Sequence, residues 1–265
     1  MEATVKEPAK DHPDEVRMTF GEHLEELRWR LIKIVVMLAV TCVTMMVVYE
    51  SLLYFITRPH FEAMALLGVK NSQLMSGGYT KPIWSIMKLG FILGAFIASP
   101  WVGYQVWAFV GSGLYKHEKK WALVFAPLSF LLFAGGCTFG YFILIPYGLY
   151  GMASMMSMDV VSPQYVLSDY LDLVMTLTLA TGAIFQLPLI MTFTNAIGLT
   201  TAKWWLMQTR YAVIVIFVVA ALLTPSPDIY SQLLMAVPLV VLYFLGILFC
   251  LFVRKKPPAA AAPQP

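Results

Sequence analysis

The residues of this chain best suited to chemistry are the carboxylates and guanidiniums of 20-FGEHLEELRWRL-31, where Glu22, Glu25 and Glu26 precede Arg28 and Arg30. So charged a start to an apolar chain is a topology anchor, a remnant of a soluble domain, or the part that touches a partner. A second concentration, 104-YQVWAFVGSGLYKHEKKW-121, mixes aromatics and lysines with one acid, Glu118. No hydrolytic or nucleotide signature is present: there is no HExxH, no GxSxG and no Gly-rich phosphate loop followed by Lys. His12, His23, His60 and His117 fall in four separate segments, so neither a metal set nor a cofactor is expected. If the chain moves something, the energy comes from elsewhere.

The elements that must hold these residues are apolar. Of 265 residues, 59% are hydrophobic and 12% charged, whereas a soluble domain carries about 25% charged residues. The missing charge and the long apolar blocks indicate an all-α, polytopic membrane protein. Six spans can be drawn: 31–49, 83–109 interrupted by Pro100, 121–145, 170–193 with Pro188 near its end, 211–223, and 232–253 containing Pro238. A crossing needs about 20 helical residues. Between Arg210 and Pro225 there is room for only about 14, or ~21 Å of helix, so the fifth span must thin the bilayer or stop short of one surface.

Six spans put both termini on one side, together with the loops 110–120 and 194–210. That side carries fourteen of the eighteen Lys and Arg residues, which orients both termini toward the cytoplasm. Residues 1–19 lack the apolar run of a cleavable signal peptide and read as a disordered cytoplasmic tail, 20–253 as the membrane domain and 254–265 as a second tail. The outside loops, about 50–82 and 146–168, are expected to fold as caps of short helices. Cys42, Cys137 and Cys250 lie in apolar blocks, so no disulfide framework is suggested.

Both charged segments have plain structural readings. Thr19 and Glu22 fit a capping box, the acids suit the positive end of a helix dipole, and Glu26 can pair with Arg30 one turn on. Acids contribute little to topology, however, so anchoring alone does not explain them. In the loop, an aromatic belt with cytoplasmic lysines suffices for Trp107, Tyr115, Lys119 and Lys120, but not for Glu118. In the fourth span Asp169, Asp172, Thr176, Ala183 and Gln186 fall on one helical face. That stripe either packs between helices or lines a groove where a partner helix docks against Gln186.

The motifs HLEELRWRL, YQVWAFVGSGLYKHEKK and LLTPSPDIYSQ, in this order over about 20–253, resemble the TatC family, the multispanning subunit of the twin-arginine protein translocase. The resemblance implies a concave, glove-like arrangement of six helices in the bacterial inner membrane. It also implies a receptor for signal peptides with two adjacent arginines, transport driven by the proton-motive force, TatA/TatB-type single-span partners, and a homo-oligomer within the complex; nucleic acid is not implied. Carried over onto this sequence, the signal-peptide residues fall on Glu26, Leu27, Arg28, Phe109, Tyr115 and Glu118, and residues with structural or partner roles fall on Pro59, Gln186 and Asp228. Two departures stand out. The run 224-TPSPD-228 is one residue longer than the family's TPPD form, and 185-FQLP-188 places Gln186 where many members carry a buried Glu.

Two other classes fit less well. Prolines within apolar helices suit a secondary transporter of ions or small solutes, but no repeated halves are visible. An intramembrane enzyme would need a nucleophile with its base, or metal ligands, and no motif supplies either.

Overall fold

A computed structural model describes residues 20–69, 72–113, 119–155, 164–224 and 228–253, leaving aside the side chains of 119–123. The tails and the Thr19 cap lie outside the described residues. Helix α1 covers Phe20–Val47, so the charged segment and the first span are one rod. It is followed by α2 (Tyr49–Leu66), α3 (Lys81–Ser112) and α4 (Lys119–Phe139). After α4 the chain passes through a π-helical turn, Gly140–Leu144, into α5 (Ile145–Ser154). Then come α6 (Leu167–Ile184), α7 (Leu187–Ala196), α8 (Ala202–Met207), α9 (Thr209–Leu223) and α10 (Ile229–Phe252). Five segments are long and apolar enough to cross a membrane, and the shorter α9 completes a set consistent with six spans. Its 15 residues reach only ~22 Å, against a hydrocarbon core of about 30 Å.

Two expectations change. The third span does not end at Ile145: residues 146–154, expected in an outside loop, continue it as α5. Pro146 has no N–H to carry the hydrogen-bond ladder on from the preceding turn, and the π-helical turn before it takes up the change of register. The fourth span is not one uniform helix. It breaks at Phe185–Gln186 between α6 and α7, because Pro188 cannot donate to the Ile184 carbonyl.

The helices form an open curved row. Helix α1 packs on α3, α3 on α4 and α6, α7 on α10, and α10 on α9, so α1 and α9 lie at its two flanks, and the row has one end where α1 begins and another where α1 stops. The main core joins Leu89 and Ile92 of α3, Leu171 and Val174 of α6, and Met235 and Leu239 of α10. Close approach is set by small residues. A Cβ added to Gly94 would lie 2.8 Å from the Cys42 backbone nitrogen, and one on Gly90 3.0 Å from the Cys42 carbonyl. The Gly90–Gly94–Ala98 stripe thus lets two backbones touch, and it is the seat of α1, whose only fully buried residue is Thr41.

At the end of the row where α1 stops, α2 forms a cap. Pro59 lies fully buried inside α2 and deprives the Phe55 carbonyl of its helical donor. The Tyr141 hydroxyl donates to that carbonyl instead, and the Tyr170 hydroxyl donates to the Ile56 carbonyl at 2.6 Å. His60, 1% exposed, donates from Nε2 to the Ser72 carbonyl at 2.9 Å. Burial holds this imidazole below its usual range, against the opposing pull of that hydrogen bond.

Two outcomes are expected. Gly94→Ala forces backbone apart and lowers detergent-phase stability by ~1–3 kcal/mol, whereas Gly103→Ala, whose new Cβ meets nothing nearer than 3.7 Å, is tolerated; equal thermal midpoints for the two variants would refute the close-packing account. Because the folded state binds fewer protons at His60 than the unfolded state, the midpoint falls as pH drops below about 6.5. A His60→Gln variant, which can still donate to Ser72, shows a flatter pH dependence when melting is followed by circular dichroism.

Candidate functional site

At the opposite end of the row, α1 and α3 run antiparallel and present matching stripes. His23, Glu26 and Arg30 are spaced three and four residues apart, and Gln105, Phe109 and Ser112 four and three, so each set occupies one helical face. The stripes meet in pairs. The His23 and Phe109 rings stack with centroids 4.4 Å apart at 18°. Arg30 donates from Nη1 to Gln105 Oε1 at 3.1 Å. Ser112 lies close enough to lend its hydroxyl to the Glu26 carboxylate, but here gives it to the Phe109 carbonyl at 2.7 Å.

Glu26 and Arg30 form the expected pair within α1. Arg30 donates from Nε to Glu26 Oε1 at 2.9 Å and again from Nη2 to the same oxygen. Both side chains are about four-fifths buried, which strengthens the attraction and makes loss of either partner costly. The other carboxylate oxygen, Oε2, is buried and has no hydrogen-bond partner among the described residues, and neither has His23 Nδ1. An ionised carboxylate is an acceptor only, so this site is open to a donor.

The remaining sequence-derived residues are dispersed. Leu27 and Arg28 are exposed on the flank of α1, adjoining the cluster without entering it. Tyr115 and Glu118 lie outside the described residues. Pro59 and Asp228 are at the far end: Pro59 in the α2 cap, and Asp228 as N-cap of α10, where its Oδ1 accepts from the Ser231 amide at 2.7 Å. Gln186 lies at the α6–α7 break. Its Oε1 accepts from Ser129 Oγ at 2.7 Å and its Nε2 donates to the Ser129 carbonyl at 3.0 Å, a two-point tie to α4. Of the face proposed with it, Asp172 accepts from Lys88 Nζ at 2.7 Å.

Sequence reasoning missed His23, Gln105 and Ser112 as members of the cluster. The signal was available in the 105/109/112 spacing, but nothing local specified which helix it would face. No group of three or more His, Cys, Asp or Glu arranged to hold a metal occurs among the described residues.

Comparison with known proteins sets this geometry in context. Residues 22–238 match the family described as Sec-independent protein translocase protein (TatC). The chain is 37% identical over 239 residues to the Sec-independent protein translocase protein TatC of Koribacter versatilis, covering 90% of this chain and 87% of that one. It is 33% identical to TatCy of Bacillus subtilis, covering 93% and 94%. Among solved structures it is similar to one described as the twin arginine translocase receptor TatC, with a TM-score of 0.75, 27% identity, and coverage of 88% of this chain and all of that one.

Breaking the internal pair is expected to cost stability: Arg30→Leu strands a buried carboxylate and lowers unfolding stability by ~2–4 kcal/mol, while the double variant Glu26→Gln/Arg30→Leu recovers part of it. Additive losses in this double-mutant cycle, measured by chemical denaturation in detergent, would show that the pair is not coupled.

Proposed function

The chain belongs to the TatC family of Sec-independent protein translocase proteins, and from that premise we propose that it is the subunit that receives twin-arginine signal peptides. As a family member it is a multi-pass membrane protein and a component of a protein translocase, a transport family and not an enzyme family. Nothing in the fold or among the relatives favours a transporter of small solutes.

The observation that carries the reading is Glu26 Oε2, a buried acceptor left without a donor beside the stacked His23 and Phe109 rings. In this reading one guanidinium of the signal peptide donates to Oε2, the oxygen that Arg30 leaves open. Glu118 is assigned the second guanidinium and Tyr115 a contact with the peptide, as the family resemblance implies. Phe109 and exposed Leu27 receive the apolar stretch behind the arginines, and Arg28 flanks the entry. Arginine is favoured because its planar fork is permanently charged and holds its donors in a fixed geometry, whereas an ammonium is a point charge on a flexible stem.

The membrane is the bacterial cytoplasmic membrane, and the distribution of basic residues supports both termini in the cytoplasm. Single-span TatA/TatB-type subunits and further copies of this chain complete the translocase, and the proton-motive force drives it. Short α9 thins the adjoining bilayer, lowering the barrier to a large polar cargo. A partner helix docking at Gln186 exchanges one Ser129 hydrogen bond for its own, so no buried amide is left unpaired. Pro59 and Asp228 act through the cap and the α10 start that they shape.

Binding of a fluorescent twin-arginine signal peptide to detergent-solubilised protein tests the proposal. Glu26→Gln and Glu118→Gln each weaken binding by about tenfold or more, the size expected of a charge-assisted hydrogen bond, and a twin-lysine peptide binds poorly even to the parent protein. Parent-like affinity in both variants would remove the acidic site from the mechanism.

A further inference from the structure

The far end of the row carries a second site. A cavity of ≈ 230 Å³ opens there between α2, α5 and the start of α6. Three aromatic rings frame it: His60 meets Tyr165 edge-on at 4.9 Å and Tyr170 at 5.6 Å between centroids. His60 and Tyr170 are held in place by their hydrogen bonds to the Ser72 and Ile56 carbonyls. The Tyr165 hydroxyl is different, being buried with no partner among the described residues. A buried phenol in that state loses its hydration without compensation, and its hydroxyl is a donor with no acceptor among the described residues.

Charge narrows the ligand further. Among the described residues, Asp169 is the one charged residue lining the cavity. Its Oδ1 accepts from Ser168 Oγ at 2.9 Å, whereas the nearby Lys88 is committed to Asp172. A carboxylate beside three aromatic rings is an environment that attracts an ammonium group. One base stands at the edge. Lys81 Nζ and Val166 Cγ1 lie 2.8 and 3.0 Å from the point where a Cβ on Gly77 would sit, and Val166 is part of the cavity wall. The strand-like pairing of Met75 with Val166 fixes these two loops together, through Met75 N to Tyr165 O at 2.7 Å and Leu167 N to Met75 O at 3.0 Å.

We propose that this cavity binds the headgroup of a zwitterionic phospholipid whose terminal group is an ammonium. The ammonium occupies the box of His60, Tyr165 and Tyr170 against Asp169. The phosphate faces Lys81 and accepts the Tyr165 hydroxyl. The position favours a membrane lipid over a soluble amine: the cavity lies at the first turn of a spanning helix, where hydrocarbon gives way to headgroups, and Leu149 and Leu173 continue its wall with apolar surface. A soluble amine would leave Lys81 and the Tyr165 hydroxyl unused. No residue of this site belongs to the Glu26 cluster, so the two proposals stand or fall separately.

Native mass spectrometry of the full chain in detergent, with dioleoyl phosphatidylethanolamine or dioleoyl phosphatidylglycerol added, provides the test. The parent protein retains the ethanolamine lipid about tenfold better than the glycerol lipid. Asp169→Asn and Tyr165→Phe, both conservative in shape, abolish most of that preference. Glu62→Gln, which alters an exposed carboxylate already paired with Arg58, leaves it intact. The ethanolamine lipid also raises the thermal midpoint of the parent protein but not of Asp169→Asn. Equal retention of both lipids by the parent, or an unchanged preference in Asp169→Asn and Tyr165→Phe, would overturn the proposal. So would saturation by free phosphoethanolamine with no lipid retained.

Discussion

In hydrocarbon an unpaired backbone carbonyl has no water to turn to, and this chain places a proline inside four of its described helices. Each such proline removes one helical hydrogen bond, and the groups that take up the freed carbonyls organise the fold. Pro100 frees the Phe96 carbonyl, which the Ser99 hydroxyl takes at 2.6 Å. Pro59 frees the Phe55 carbonyl, and there the replacement donor, Tyr141, comes from a different helix. A local defect thereby becomes a tertiary contact that fastens the cap to the third span, with Tyr170 adding the fourth. Helix ends obey the same rule. Asn195, at the end of α7, donates to the Cys250 and Val253 carbonyls at 2.9 and 3.3 Å, closing the exposed end of α10.

The same constraint gives the Glu26 cluster its meaning. Almost every buried polar group in the described chain has a partner, and the exceptions are few. Two of them, Glu26 Oε2 and His23 Nδ1, sit together on one helix face in the cluster that α1 and α3 form. Arg30 neutralises the carboxylate without occupying all of it, so the cluster is charge-balanced as folded. The geometry depends on α1 lying tightly against α3. That in turn depends on Gly90 and Gly94, which lie toward the other end of the contact from the Glu26 cluster. Close backbone packing and the charged cluster are thus separated along one helix pair.

The spans, the short fifth helix, the charged start of the first rod and the Glu26–Arg30 pair were legible in the sequence, for one physical reason. Hydropathy, helical spacing and the i,i+4 relation are local properties, written within a few turns. The run of α5 beyond Pro146 and the break at Phe185–Gln186 are less local, since a proline can open a helix or interrupt one according to whether its neighbours supply other partners.

Tertiary structure alone decided which faces meet. Nothing near residue 23 specifies Phe109, nothing near residue 30 specifies Gln105, and nothing near residue 59 specifies Tyr141. The packing of Gln186 against Ser129 across 57 residues, and the gathering of His60, Tyr165 and Asp169 around one cavity, are of the same kind. These pairings are set by the register and tilt of whole helices, which small residues and relocated backbone hydrogen bonds determine, and that information is spread over the chain and is not contained in any one motif.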